Sequence, residues 1–276
     1  MNTVDRLIEL ALDEDLGSGD LTTDALLGDD KPGWAEIVAK EDLVLCGLDI
    51  VRRVFTRIDD RVACRSDCRD GDHVDAGRTV MRLKGPLKSL LHGERTALNF
   101  LQRLSGIATH VRTWVEALGT GTARLVDTRK TTPGWRVLEK YAVRVGGAAN
   151  HRMGLYDGVL IKDNHIAACG GIAPAVTALR HRISHLVKIE VETADLDQVE
   201  EALDAGADVI MLDNMDLAQI RQAVQRIAGR ALVEVSGRVR RDSLRPLADT
   251  GVDLISAGAL THQARAVDLS MRVSGQ

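Results

Sequence analysis

Six short apolar segments, each followed by polar residues and then a helical stretch, fill the chain beyond Thr122. They read ARLVDT, GVLIKDN, LVKIEVET, DVIMLDN, ALVEVSG and VDLISAG. Near-continuous apolar strands that alternate with helices are typical of a parallel sheet covered on both faces. Because successive segments after the second begin only about 20 to 30 residues apart, the pattern predicts a closed or nearly closed β/α barrel, with a doubly wound open sheet as the alternative.

The chain before this region has a different pattern. Apolar residues recur at helical spacing at the start and stop at Gly17, which predicts one amphipathic helix. In residues 34–83, short β-like runs are separated by Asp-Gly and Ala-Gly pairs, with a helix around residues 50–58. A longer helix follows from about Leu90. These features predict a small α+β domain.

Composition and charge exclude several classes of partner. The net charge of -4 gives no global attraction to a polyanion, and aromatic residues make up only 3% of the chain, too few for a base-stacking surface. The opening MNTVDRLIELALDEDLG lacks the basic and apolar regions of a signal peptide, and no run approaches the roughly 18 apolar residues of a membrane span. We expect a cytoplasmic protein without nucleic-acid or membrane partners.

Reactive side chains follow each of the six predicted strands. They are Asp127, Arg129 and Lys130; Lys162, Asp163 and His165; Glu190 and Glu192; Asp213 and Asn214; Ser236 and Gly237; and Gly258. In β/α barrels the active site lies at the carboxyl ends of the strands. The sequence therefore predicts that these residues converge on one mouth of the barrel.

Positive charge is concentrated in the first half of the predicted barrel. The cations on or just after strand ends are Arg129, Lys130, His151, Arg152 and Lys162. Arginine and lysine side chains bind carboxylates and phosphates, so this group predicts a strongly anionic substrate. The intervening cations are interpreted instead as a solvated helix face, and they are Arg136, Lys140 and Arg144.

The second half offers the opposite charge. Glu192 and Asp213 suit ribose hydroxyls, a magnesium ion or a cationic ribosyl centre. Glu190 shares a strand face with Glu192 by simple alternation, so a role for it stays open. Small residues at Ser236-Gly237 and Gly258 precede helices and predict a phosphate-binding site. The residues alone thus predict a barrel that binds a phosphorylated sugar and a second anion.

The run DTRKTTPGWRVLEKYAVRVGGAANHRMGLYDGVLIKDNHI, residues 127–166, closely resembles the motif of quinolinate phosphoribosyltransferases. The resemblance extends through EDLGSGDLTTDALL, ERTALNFLQRLSGIAT, GADVIMLDNM, EVSGRV and GVDLISAGALTH. It implies a pentosyltransferase that moves a phosphoribosyl group from phosphoribosyl pyrophosphate (PRPP) to quinolinate. The products would be nicotinate mononucleotide, pyrophosphate and carbon dioxide, as in de novo NAD biosynthesis.

The resemblance also implies the architecture. An N-terminal α/β sandwich domain would span residues 1–104, and an incomplete, seven-stranded β/α barrel would span residues 105–262. The C-terminal tail, residues 263–276, would pack back on the first domain. Since the sequence pattern gives only six strands, we expect a hidden seventh strand near residues 142–147.

Site residues follow from the resemblance position by position. The quinolinate pocket would be formed by Arg129, His151, Arg152 and Lys162. The residues nearest the reaction would be Lys130 and Lys162 at the pyrophosphate and Glu192 and Asp213 at the ribose, the latter two also holding Mg²⁺, directly or through water. Ser236, Gly237 and Gly258 would bind the 5′-phosphate. Arg95 would enter the neighbouring subunit's site, which implies a homodimer.

Three positions depart from the usual pattern of the family. Ala148 follows Gly146-Gly147 where a third glycine is usual, Arg238 follows Ser236-Gly237 where a glycine is frequent, and Gln263 replaces a serine. The first two lie near glycine-dependent turns, so Ala148 is expected to tighten the loop before His151 and Arg238 to alter the phosphate site. No charged site residue is lost.

Three other functions fit the sequence less well than this one. A related family associated with molybdenum transport shares the DTRKT opening, but the NHR and KDNH segments kept here are altered in it. A non-catalytic sensor of quinolinate or a nucleotide should have lost a catalytic charge. A nicotinate salvage transferase has no need of so many cations for a monocarboxylate.

Overall fold

The computed structural model describes residues 3–275, which divide into two compact units. One unit comprises the chain up to Arg112, Thr132–Gly147 and the chain from Gln263; the other comprises Thr113–Thr131 and Ala148–His262. The limits predicted from the sequence, residues 1–104, 105–262 and 263–276, stay a prediction, because proximity does not decide which segments fold independently.

Helices and strands account for most of both units. The strands are β1 (Pro32–Ala39), β2 (Leu43–Val44), β3 (Ala63–Arg65), β4 (His73–Val74), β5 (Thr79–Pro86), β6 (Arg124–Val126), β7 (Val159–Ile161), β8 (Ile189–Thr193), β9 (Val209–Asp213), β10 (Leu232–Ser236), β11 (Leu254–Ser256) and β12 (Leu269–Gly275). The α-helices are α1 (Thr3–Leu16), α2 (Leu21–Leu26), α3 (Leu48–Ile58), α4 (Leu87–Leu118), α5 (Arg136–Gly146), α6 (Asp163–Cys169), α7 (Ile172–Arg180), α8 (Leu196–Asp204), α9 (Leu217–Ile227), α10 (Leu244–Ala248) and α11 (Ala259–His262). Within residues 3–275, no helix has both the length and the apolar composition that a membrane span requires.

The first unit contains a four-stranded antiparallel sheet in the order β12-β1-β5-β3. The last strand of the chain pairs with the first, from Trp34 opposite Ser274 to Ala39 opposite Leu269. Beside this sheet, β2 and β4 form a short ladder. The predicted α+β character of the first part of the chain is confirmed.

The second unit is built on a six-stranded parallel sheet in the order β6-β11-β10-β9-β8-β7. Each strand lies inside one of the six apolar segments. The side chains along β9 are nearly all buried, as expected for a parallel strand covered on both faces. Helices begin where acidic side chains cap them: Asp195 Oδ1 accepts from Gln198 N at 2.8 Å, and Asp216 caps α9 in the same way. The predicted β/α architecture is confirmed.

The strand order is that of an incomplete barrel. β7 to β11 are consecutive neighbours, and β6 lies beyond β11, so the sheet is open between β6 and β7 in the described chain. A single parallel bridge joins Ala149 to Val126 on the open side of β6. The hidden strand predicted at residues 142–147 is wrong, because α5 runs to Gly146; the seventh position holds only the bridge at Ala149.

Helix α5 also corrects the interpretation of its cations. Arg144 is exposed, but the Lys140 side chain is fully buried, so the three cations do not form one solvated face. The neighbouring Glu139 is fully buried as well, and its carboxylate accepts from Arg103 Nη2 at 2.9 Å and from Thr132 Oγ1 at 2.8 Å. Buried charges require such partners, and hydrophobic spacing alone does not reveal them.

Candidate active site

A lysine and a carboxylate meet at the ends of β7 and β8. Lys162 follows β7 directly as the N-cap of α6, and Glu192 lies near the end of the adjacent β8. The Lys162 ammonium donates to Glu192 Oε2 in a short contact. The lysine side chain is 45% exposed and the glutamate 18%, so the pair reaches solvent from the strand ends. Two of the predicted catalytic residues are thus together.

The ends of β9 and β10 carry the next pair of predicted residues. Asp213 and Ser236 are partners in the sheet register. Between them, Asn214 Nδ2 donates to Asp213 Oδ2 at 2.6 Å and Asn214 N donates to the Ser236 carbonyl at 3.1 Å. A Cβ on Gly237 would lie 2.4 Å from Asn214 Oδ1, and Gly237 has φ of 86°. This turn therefore requires glycine, as the predicted phosphate-binding role does.

A cavity of about 360 Å³ opens at these strand ends. Its lining includes Asn214, Ser236, Gly237 and Arg238. Arg238 has a left-handed backbone with φ of 45°, a conformation that favours glycine over residues with a side chain. The departure therefore costs about 1 kcal/mol of backbone strain and adds a cation to the cavity wall.

Lys130 and Gly258 come together beyond the carboxyl ends of another pair of strands. Lys130 follows β6 and Gly258 follows β11, and these two strands are neighbours in the sheet. Thr261 Oγ1 donates to the Lys130 carbonyl at 2.7 Å, which fixes the backbone beside the lysine. A Cβ on Gly258 would lie 2.7 Å from Lys130 Cδ. The glycine therefore makes room for the lysine side chain, whereas it does not line the cavity around Ser236.

His151 lies deeper in the sheet interior, beside two acids. Its Nε2 is 3.0 Å from Glu190 Oε2 and 3.7 Å from Glu234 Oε2. Both glutamates are buried, with 7% and 1% of their surface exposed. Burial, and then the neighbouring Glu190 carboxylate, raise the pKa of Glu234 to about 7, while His151 lowers it. Glu190, whose role the sequence left open, therefore contacts His151.

Glu234 was not identified from the sequence. The signal was present, because ALVEVSG places one acid inside an otherwise apolar strand, and a buried acid requires a partner. The partner is remote in sequence, however, so the spacing could not name it.

Arg152 follows His151 and lies near a second arginine. Its Nη1 donates to the Gly158 carbonyl at 2.9 Å. Partial burial, and then the positive charge of Arg129, lower the pKa of Arg152. Two cations predicted for the quinolinate pocket are therefore close enough to repel each other, as residues that share an anionic ligand would be.

A second cavity, of about 500 Å³, begins at the amino ends of the strands. Its lining includes Arg124, Lys188, His151 and Arg152 together with Glu190 and Glu234. His151 and Arg152 thus line a cavity that does not contain Lys162 or Glu192. The predicted site residues of this unit therefore form a strand-end group and an interior group, and the positive charge of Arg129, after β6, acts on Arg152 of the interior group by lowering its pKa.

Both halves of the chain match family models for one enzyme family. Residues 107–272 match the C-terminal domain of quinolinate phosphoribosyl transferase, and residues 20–105 match its N-terminal domain. The chain belongs to the quinolinate phosphoribosyl transferase family.

Individual family members are similar over nearly the full chain. A protein from Bacillus subtilis called probable nicotinate-nucleotide pyrophosphorylase [carboxylating] is 46% identical over 261 residues, 95% of this chain and 90% of that protein. A Nicotiana tabacum protein called quinolinate phosphoribosyltransferase [decarboxylating] 1b is 37% identical, over 97% of this chain and 81% of its own. The crystal structure of NadC from Streptococcus pyogenes superposes with a TM-score of 0.95 at 43% identity, covering 99% of this chain and 97% of that one.

The remaining quinolinate phosphoribosyl transferase positions are also located by the structure. Arg95 lies in the first unit, exposed on α4. Ala148 is not among the residues with positive φ, so alanine replaces the usual glycine without left-handed strain. Gly146 cannot change so easily, because a Cβ there would lie 2.7 Å from the Ala108 carbonyl oxygen. Gln263 is exposed.

Proposed function

We propose that this chain transfers the phosphoribosyl group of PRPP to quinolinate and releases pyrophosphate and carbon dioxide, leaving nicotinate mononucleotide. The observation that carries the proposal is that opposite charges meet at the carboxyl ends of neighbouring strands. Lys162 pairs with Glu192, and Asp213 lies opposite Ser236 at the ends of β9 and β10. Such a set provides cations for anionic groups and carboxylates for a sugar centre that becomes positively charged. We also propose that the enzyme acts in the cytoplasm.

Quinolinate would bind to the cations of the interior and first strand ends. Its two adjacent carboxylates call for several donors, and we assign this role to Arg129, His151, Arg152 and Lys162. The pKa of Arg152 is lowered by partial burial and then by the positive charge of Arg129, which supports a shared anion, because a dicarboxylate between the two cations would relieve their repulsion.

PRPP would bind across the strand ends. Ser236 and Gly237, at the 360 Å³ cavity, suit the 5′-phosphate, with Gly258 beside Lys130. We assign Lys130 and Lys162 to the pyrophosphate. As the pyridine nitrogen attacks C1′ and pyrophosphate departs, Glu192 and Asp213 would stabilise the positive charge on the ribosyl group. The quaternised ring then accepts the electrons left when the 2-carboxylate departs as carbon dioxide.

Magnesium fits the donors that the second unit offers. Glu192 and Asp213 lie on the adjacent strands β8 and β9 and present only carboxylate oxygens. Mg²⁺ prefers oxygen ligands and is commonly held by one or two carboxylates together with substrate phosphates. When bound, the ion would neutralise charge on the departing pyrophosphate. We therefore assign Glu192 and Asp213 as its protein ligands, directly or through water.

The proposed assembly is a homodimer in which Arg95 enters the site of the partner. An exposed arginine on α4 is available for such a role. A further cation would be valuable to a site that must hold a dicarboxylate and a pyrophosphate together.

The decisive experiment supplies the purified protein with quinolinate, PRPP and Mg²⁺ and follows quinolinate loss and nicotinate mononucleotide formation by chromatography. Nicotinate serves as the parallel substrate, and a Lys162→Ala variant as the control for contaminating activity. We expect product from quinolinate only, and none from the variant. Turnover of nicotinate alone would indicate a salvage enzyme, and turnover of neither would reject the proposed activity.

A further inference from the structure

Hydrogen bonds hold His151 at its backbone and at each ring nitrogen. The backbone N–H donates to Asp127 Oδ1 at 2.9 Å, and Asp127 is fully buried. The backbone N–H of Arg152 donates to His151 Nδ1 at 2.8 Å. A further bond joins His151 Nε2 to Glu190 Oε2 at 3.0 Å.

These bonds define where the imidazole proton lies. Nδ1 accepts a hydrogen bond from a backbone N–H, so it carries no proton itself. A carboxylate can only accept, so Nε2 is the protonated nitrogen and donates to Glu190. The ring is therefore the neutral tautomer with its proton on Nε2, a state set jointly by the Arg152 amide and the Glu190 carboxylate.

The same geometry argues against a metal ion in this cluster. Among the described residues, His151, Glu190 and Glu234 have ligand atoms within 4.8 Å of one another, and His with carboxylates is a common ligand set. A histidine ligand normally donates a proton from its other ring nitrogen to a neighbour. Here Nδ1 accepts instead, so Nε2 has no lone pair to offer a metal.

We propose that Glu190 is a positioning residue: it holds His151 in the Nε2-protonated form and thereby fixes the segment 150–152 that carries the quinolinate-binding His151 and Arg152. This inference rests on the proposed function, because that function is what assigns His151 and Arg152 to quinolinate binding. Asp127 fixes the other end of the same segment, since its Oδ2 accepts from Asn150 Nδ2 at 2.6 Å. The segment is thus held by one acid from each of β8 and the loop after β6.

Kinetics of Glu190 variants test the inference. Glu190→Ala removes the acceptor, and we expect the KM for quinolinate to rise roughly 10- to 100-fold, as loss of a charge-assisted hydrogen bond implies, with kcat and the KM for PRPP changed much less. Glu190→Gln keeps an acceptor oxygen and should stay within about threefold of the wild type.

Nitrogen NMR of the protein labelled at its histidines, without substrates, tests the inference independently of activity. We expect His151, assigned by the loss of its signals in His151→Gln, to show Nε2 protonated in the wild type and in Glu190→Gln, and to lose this single state in Glu190→Ala. Failure of the wild type to turn over quinolinate would reject the proposed function, and the NMR result would still decide the role of Glu190.

Several outcomes would overturn the inference. One is a wild-type His151 protonated on Nδ1. Another is a Glu190→Ala variant whose KM for quinolinate is unchanged, or whose two KM values rise together. A Glu190→Gln variant as impaired as Glu190→Ala would also contradict it, since the hydrogen bond would then not be what matters.

Discussion

At the scale of single residues, the turn after β10 strongly restricts which amino acid can occupy a position. Gly237 combines a left-handed backbone with direct contact to Asn214, so two independent constraints require glycine. Its neighbour Arg238 shares the backbone conformation without being glycine. The turn thus excludes a side chain at Gly237 and tolerates a strained backbone at Arg238.

Gly237→Ala should raise the KM for PRPP by about tenfold or more, because the new Cβ displaces Asn214 from Asp213 and Ser236. Gly206→Ala is the matched control: Gly206 has φ of 76° but nothing within 4 Å of its Cβ position. That control should lose only about 1 kcal/mol of stability and keep its kinetics. Steady-state kinetics and urea unfolding of both variants measure the difference; equal kinetic effects would contradict the steric explanation.

The buried Glu234 predicts a pH-dependent stability. Its pKa is raised to about 7 in the folded protein, so the folded state holds a proton that the unfolded state releases at lower pH. The cost of ionising the buried acid is therefore absent below the unfolded pKa, and the wild type loses stability progressively as pH rises towards 7. Glu234→Gln, which cannot ionise, should gain stability relative to wild type between pH 5 and pH 8. Urea unfolding at the two pH values measures this gain, and a constant difference would contradict it.

At the scale of elements, α5 depends on charges inside the first unit. Arg103 on α4 donates to the buried Glu139 at 2.9 Å and to the Ala264 carbonyl at 2.6 Å, so one guanidinium joins α4, α5 and the C-terminal segment. Thr132 adds two further hydrogen bonds to Glu139. The carboxylate thus anchors the start of α5.

Glu139→Ala should destabilise the protein by about 3 kcal/mol, since it removes the carboxylate that pairs with the partly buried Arg103 and accepts from Thr132. Glu139→Gln retains an acceptor and should lose distinctly less. Urea unfolding followed by circular dichroism compares the two. Similar losses for both variants would mean that packing, and not the ion pair, holds the helix.

How far the sequence predicts these elements depends on the kind of signal. The strands of the second unit were predictable because buried parallel strands are continuous apolar runs, and the strand-end residues followed from the architecture. Glu234, in contrast, is paired with His151 across the sheet, and Lys140 is buried by its surroundings. Neither appears in a periodicity computed along the chain. The seventh strand was wrongly predicted near residues 142–147, where α5 ends, because a count of strands carries no information on where the sheet opens.

At the scale of the whole molecule, the proposed dimer gives a quantitative expectation. Arg95→Ala and Lys130→Ala subunits should each be inactive alone. After subunit exchange, half the dimers are mixed and each has one complete site, so about one quarter of the wild-type activity should return.

The matched control places both substitutions in one subunit and mixes it with the wild type. Every mixed dimer then has two defective sites, so activity should fall with the share of mixed dimers. Recovery in this control, or none in the first mixture, would contradict sharing of Arg95 between subunits.

The strand orders also govern the time course of folding during synthesis. β6 pairs with β11, and β1 pairs on its outer side with β12. Arg124 therefore cannot pair until Leu254 has been synthesised, and Ala39 cannot pair on that side until Leu269 has been synthesised. Such distant pairings slow folding because long loops must close first. Neither sheet can be completed before β11 and β12 have left the ribosome. A growing chain therefore exposes an unpaired edge of β6 and of β1 until those strands emerge, and that interval is when chaperones matter most to this protein.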